Sequence, residues 1–165
     1  MGILVDRRER EIGASPERIF AEVERLGGTR GWPSGNILWR MRGGIDRLVG
    51  GVGMRPGRRD PERLGVGDAL DFWRVEALDR PRLLRLRAEM RLPGRAWLEF
   101  AVEPTPSGSR LVQTASFDPD GLAGYAYWYV LLPIHLPIFR GMVRTLAARA
   151  IVTRPPDRDV GVPSS

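Results

Sequence analysis

The sequence predicts a single α+β domain in which a strand and short helices precede an antiparallel meander, and one long C-terminal helix closes the chain. Three observations carry this. Between Asp68 and Phe117 four runs alternate residue character with period two, and the short spacing between them favours antiparallel neighbours over a parallel sheet. Ser15-Pro16-Glu17 stands just ahead of Ile19, Phe20, Val23 and Leu26, which recur at helical spacing. The run from Gly121 to Phe139 carries no formal charge over 19 residues, and its helical spacing continues through Val143, Leu146 and Ala150. A length of 165 residues, 42% hydrophobic and 28% charged, suits one compact core.

The elements follow in order. Ile3 to Ile12 is dense in charge, apolar at both ends, and reads as a strand. Ser15 can cap a helix, Pro16 suits its first position, and Glu17 complements the positive end of the dipole. Gly27-Gly28 ends that helix. Ile37, Leu38, Met41, Ile45, Leu48 and Val49 fit one face of a second helix, which Gly43 and Gly44 weaken by about 1 kcal/mol each against alanine. Gly50 to Gly67 reads as loop, with a short strand near Val52 to Arg55.

The period-two runs come next. Asp68 to Leu78 places Leu70, Phe72, Arg74 and Glu76 opposite Asp71, Trp73 and Val75, so neither face is purely apolar. Arg82 to Leu92 is cleaner, with Leu84, Leu86, Ala88, Met90 and Leu92 against Arg85, Arg87, Glu89 and Arg91. Ala96, Leu98, Phe100 and Val102 repeat the pattern after the Pro93-Gly94 turn. Leu111, Gln113, Ala115 and Phe117 form the last run, entered through Thr105-Pro106-Ser107-Gly108. In the C-terminal helix Pro133 and Pro137 predict a kink or a break, because each removes a hydrogen bond to the carbonyl four residues back. The uncharged run is long enough to span a membrane, but the prolines, His135 and the continuing helical spacing favour a core helix, and a membrane partner is disfavoured. Residues 1–152 are expected to form the domain and 153–165 a disordered tail.

Composition removes much chemistry. All 26 basic residues are arginine, cysteine is absent and His135 is the one histidine. This excludes a Schiff-base or P-loop lysine, a thiolate nucleophile, a disulfide, a cysteine-built metal site and a site with two histidines. No cofactor or metal is expected. The net charge of +6 invites nucleic acid, but acids interleave with the arginines, as in Asp6-Arg7-Arg8-Glu9-Arg10-Glu11, so no nucleic-acid partner is expected. Early charges in place of a signal peptide make a cytoplasmic location the expectation.

Several constellations remain. His135 is a general base in a cavity wall or, alternatively, a donor to a carbonyl freed by a proline. Arg42 and Asp46, four apart, share a helix face with Trp39, and Arg58 and Arg59 follow in the glycine-rich loop. They form either a pocket whose guanidinium forks hold a carboxylate or phosphate, or a salt-bridge network. Trp39, Trp73, Trp97 and Trp128 are candidates for an aromatic pocket. Asp68 and Asp71 point to opposite faces of a strand, so converging carboxylates are not expected. Gly50-Gly51-Val52-Gly53-Met54-Arg55-Pro56-Gly57 has proline where a dinucleotide fingerprint needs its third glycine.

Specific words carry a resemblance: Gly31-Trp32, Leu38-Trp39-Arg40-Met41-Arg42-Gly43, Ile45-Asp46-Arg47-Leu48-Val49-Gly50-Gly51-Val52-Gly53, Gly57-Arg58-Arg59-Asp60-Pro61, Val66-Gly67-Asp68-Ala69-Leu70-Asp71-Phe72-Trp73-Arg74-Val75, Glu89-Met90-Arg91-Leu92-Pro93-Gly94-Arg95-Ala96-Trp97-Leu98-Glu99-Phe100, Tyr127-Trp128-Tyr129, Pro133-Ile134-His135 and Ile138-Phe139. From about Val5 to Ala150 the chain resembles an uncharacterised bacterial domain family of the SRPBCC superfamily. That resemblance implies the helix-grip, START-like or Bet v 1-like fold, a curved antiparallel sheet wrapped around a long kinked C-terminal helix. The family is often fused to an NAD(P)-binding, epimerase-like short-chain dehydrogenase, a region this sequence lacks. The resulting expectation is an internal cavity for a small hydrophobic or amphipathic ligand. Its ligand-binding candidates are Trp39, Arg42, Asp46, Arg58, Arg59, Trp73, Met90, Trp128 and His135, with apolar walls from Leu86, Met90, Leu98, Phe100 and residues Tyr125 to Leu132. The alternatives are an accessory domain docking on a short-chain dehydrogenase and a cyclase or dehydratase-type enzyme.

Overall fold

The computed structural model describes residues 2–27, 31–32, 44, 47–48, 50–51, 60 and 63–152. The elements run β1 (Leu4–Ile12), α1 (Pro16–Glu24), β2 (Ala69–Leu70), β3 (Trp73–Asp79), β4 (Leu83–Ala88), β5 (Gly94–Thr105), β6 (Gly108–Pro119) and α2 (Gly121–Val152). The six strands form one antiparallel sheet in the order β1-β6-β5-β4-β3-β2. The long helix and α1 lie against that sheet, and their shared core is a helix-grip α+β fold.

The local chemistry of α1 is as the sequence implies. Ser15 is the N-cap, its hydroxyl accepting from the Arg18 N–H at 3.4 Å, and Pro16 and Glu17 occupy the first turn. Ile19, Phe20, Val23 and Leu26 are all buried. Of the second helix expected over 37–49, only Gly44, Arg47 and Leu48 are described, and they are helical. The rest of that helix, the strand expected near Val52 to Arg55 and the tail from residue 153 lie outside the described residues.

The run from Asp68 to Leu78 is not one strand. It folds into a tight hairpin in which Leu70 pairs with Trp73 across Asp71-Phe72, and a bulge follows between Val75 and Ala77. This corrects the single-run expectation and explains the mixed faces, since the chain reverses midway. Asp71 holds a positive φ of 55°, a conformation aspartate tolerates better than most side chains. Its carboxylate accepts from Trp32 Nε1 at 2.7 Å, which clamps the turn to the segment after α1. Asp68 instead accepts from the Gly65 N–H at 2.8 Å. Each acid therefore serves a turn, and the two do not converge.

The remaining strands keep the expected alternation. Leu84, Leu86, Leu98, Phe100 and Leu111 are fully buried, while Arg85, Arg87, Glu99 and Arg110 face outward. Because β4 ends at Ala88, Met90 and Leu92 continue the apolar face into the connection to β5. Near α1 a buried Glu24 accepts from Arg80 Nε at 2.9 Å and also from the Leu64 N–H. That hydrogen bond raises the Arg80 guanidinium above its ordinary pKa.

The helix α2 runs without interruption through Pro133 and Pro137. Of the kink or break expected there, the break is absent. Both prolines lie on the exposed stripe, so the carbonyls of Tyr129 and Pro133 that lose their partners are on the solvent side, where water can replace the missing N–H. The second half of α2 buries Ile138, Phe139, Met142, Val143, Leu146, Ala147 and Ala150 against the sheet and α1, and in the first half only Gly124 is buried. A Cβ on Gly124 would stand 2.5 Å from the Pro93 carbonyl. Glycine is therefore what lets α2 approach the start of β5.

Candidate functional site

Where the first half of α2 crosses the open end of β5 and β6, the packing leaves a pocket. Its walls are Phe117 on β6, Trp73 on β3, Met90 and Leu92 from the β4–β5 connection, Ala96 and Trp97 on β5, and Tyr127, Trp128, His135 and Phe139 on α2, with Ala115 and Ser116 at its base. The reason for its position is local. Leu86, Leu98 and Phe100 fill the centre of the concave face and are fully buried, whereas toward the Pro93-Gly94 end the helix meets the sheet through rings and through Gly124.

Those rings fix the wall. Phe117 stacks on Trp128 at 5.8 Å between centroids with 9° between planes, and meets Tyr127 at 5.7 Å and 40°. His135 stacks on Phe139 at 5.4 Å and 26°. On the far side Trp73 packs on Phe72 at 5.7 Å and on Trp32 at 6.4 Å. Such pairs contribute roughly 0.5–1.5 kcal/mol each beyond their burial. The pocket is thus preorganised by contacts among its own aromatic side chains.

The space that water can occupy in it is about 60 Å³. At about 15 Å³ per water centre, this admits about four waters, and anything larger extends through the open side. The lining is apolar apart from Ser116, the Tyr127 hydroxyl, the indole N–H groups and the imidazole of His135. Among the described residues no carboxylate and no guanidinium lines it, and the lining they form suits neutral or weakly polar groups. Among the described residues no cluster of three His, Asp or Glu side chains could hold a metal ion.

Four of the candidates from the sequence, Trp73, Met90, Trp128 and His135, meet around this one pocket. Trp39, Arg42, Asp46, Arg58 and Arg59 lie outside the described residues. The expected apolar walls from Leu86, Leu98 and Phe100 are corrected: these residues are core, and the lining shifts toward the sheet end. Phe117 and Leu92 belonged to the inward faces of their runs, and Tyr127 adjoined Trp128. Phe139, one helical turn beyond His135, was legible only as a helix residue. Trp97, also in the lining, has the Arg85 and Arg95 guanidiniums over its ring at 5.7 and 5.9 Å.

An antiparallel sheet gripping one long helix, with an aromatic pocket at the open end, defines a helix-grip domain of the Bet v 1-like class. Solved structures share this fold at low identity. Norcoclaurine synthase from Thalictrum flavum, in complex with dopamine and hydroxybenzaldehyde, is 14% identical with a TM-score of 0.58, covering 94% of this chain and 90% of that one. Protein NE0264 from Nitrosomonas europaea gives 10% and 0.55, covering 90% and 94%. The di-domain ARO/CYC StfQ of the steffimycin biosynthetic pathway gives 10% and 0.55, with 90% of this chain matching 51% of that one. No curated protein matches the chain. Residues 3–142 match the family described as protein of unknown function (DUF2867), and the chain belongs to that family.

Proposed function

We propose that the domain binds a small, largely apolar molecule by inserting one ring of it into the aromatic pocket between α2 and the β5–β6 end. The observation that carries this is the lining itself: Trp73, Phe117, Tyr127, Trp128 and Phe139 converge on a half-open space with His135 as the one imidazole in its wall. Ring stacking and burial, at about 25 cal/mol per Å² of apolar surface, supply affinity. His135 and the Tyr127 hydroxyl supply orientation by hydrogen bonding to a hydroxyl or carbonyl on the ring. That the norcoclaurine synthase structure holds dopamine and hydroxybenzaldehyde supports a ring-sized ligand for this fold.

A cyclase-type reaction is the second reading. It rests on His135, a side chain able to move a proton near neutral pH, standing at the wall where a ring would lie. A dehydrogenase partner draws no support from the pocket.

Because Trp73, Trp97 and Trp128 line the pocket, occupancy should change intrinsic fluorescence. Native mass spectrometry of the purified chain, followed by titration with phenols, aromatic aldehydes and fused-ring polyketides, tests the proposal. Saturable quenching that Trp128→Ala shifts to about tenfold higher ligand concentration is the expected result. An empty protein with no saturable response to any of these compounds would overturn it, and turnover that His135→Gln eliminates would favour the second reading.

A further inference from the structure

The face of α2 opposite the pocket is anomalous. Leu122, Tyr129, Val130 and Ile134 are exposed at 84%, 60%, 72% and 44%, and Ala126, Pro133 and Pro137 complete the same stripe. No charged residue interrupts it from Gly121 to Phe139. In the helix's most apolar window of membrane-spanning length only 17% is buried. A solvent-facing stripe on a helix is normally polar, and one that is apolar all round is covered by something.

We propose that this stripe seats the domain on an anionic lipid surface, with α2 lying in the plane of the interface. The stripe from Leu122 to Pro137 is about 22 Å long at 1.5 Å per residue, the length of an interfacial helix rather than of a free span. Spanning is opposed by the other side of the same turns. Phe117 holds Tyr127 and Trp128 to the sheet, and Gly124 sits against Pro93. Charge matches an anionic surface: the chain carries +6, and Arg140 and Arg144 are exposed immediately beyond the apolar turns on the same side of the helix. Tyr129, an aromatic with a polar tip, suits the headgroup boundary.

The prolines discriminate between occupants. With Pro133 and Pro137 on the stripe, the Tyr129 and Pro133 carbonyls need donors from outside the helix. A second copy of the stripe brings only the Tyr129 hydroxyl, so a dry isologous dimer would bury these carbonyls unpaired. The hydrated headgroup layer supplies water and keeps them satisfied.

The test is flotation of the full chain with vesicles of phosphatidylcholine alone and of phosphatidylcholine mixed with phosphatidylglycerol, at low and high salt. The wild-type chain should float with the mixed vesicles, and less at high salt. Leu122→Glu with Val130→Glu should lower the bound fraction about tenfold, Arg140→Glu with Arg144→Glu should remove the preference for phosphatidylglycerol, and Val66→Glu, in the turn before β2, should change nothing. Leu122→Ser with Val130→Ser is the milder pair, and an unaltered circular dichroism spectrum confirms the fold of each. Absence of flotation, or flotation indifferent to both stripe pairs, overturns the proposal. A dimer that the stripe variants dissociate and that ignores vesicles replaces it with self-association.

Discussion

The two halves of α2 are both rich in apolar residues but differ in circumstance. From Ile138 onward an apolar face is buried and Arg140 and Arg144 mark the outer face, the pattern of a core helix. From Gly121 to Pro137 the helix is apolar on every side, yet it buries only Gly124, touches the sheet through rings and leaves its outer stripe exposed. One continuous helix therefore divides its work: one half supplies stability, and the other supplies a pocket wall and an unusual surface. Apolarity alone does not distinguish these roles. What differs is whether a fully packed side-chain layer lies underneath.

The sharpest way to break this comparison is by truncation in each half. Leu146→Ala, fully buried on the sheet, should cost about 2–5 kcal/mol in urea unfolding. Leu122→Ala in the exposed half should stay within about 0.5 kcal/mol. Equal losses would show that the first half is as firmly packed as the second.

The next effect is steric. Gly124→Val forces a side chain against the Pro93 carbonyl and should destabilise by about 1–3 kcal/mol. It should also shift the helix from the β5 start and enlarge the pocket, which increased binding of a hydrophobic dye would register. A neutral outcome would mean that α2 already has room to move there.

Trp128→Ala removes the ring stacked on Phe117. Affinity for a ring-bearing ligand should fall about tenfold, equivalent to about 1.4 kcal/mol, as read by calorimetric titration, with a smaller change in unfolding midpoint than Leu146→Ala. A larger stability loss than binding loss would make this half structural after all. Smallest is Arg95→Ala, whose pair with Asp118 at 2.7 Å is solvent-exposed. It should alter stability by less than about 1 kcal/mol and decline further in salt.

Much of the fold was legible in the chain because it depends on local periodicity. Leu84 and Leu86 against Arg85 and Arg87, and Ile19, Phe20 and Val23 behind Ser15-Pro16, announce their inward faces without reference to distant residues. The hairpin at Asp71-Phe72 was not legible. It lacks the glycine that marks such turns, and its stabiliser, the Trp32 indole, is 39 positions away. The candidate site was half legible: Trp73, Met90, Trp128 and His135 stood out by residue type, but nothing in their spacing showed that they share one wall.

By itself, then, the sequence determined the alternation of the meander, the cap of α1, the length of α2 and the chemistry available, all of which follow from neighbours within a turn or a strand. The tertiary structure alone decided three things. Leu98 and Phe100 fill the centre while the pocket opens at the Phe117 end, Pro133 and Pro137 fall where water can satisfy the freed carbonyls, and one face of the uncharged first half of α2 is left uncovered. Each depends on which side of an element meets another across the sheet, a relation that packing and closure set between residues far apart in the chain.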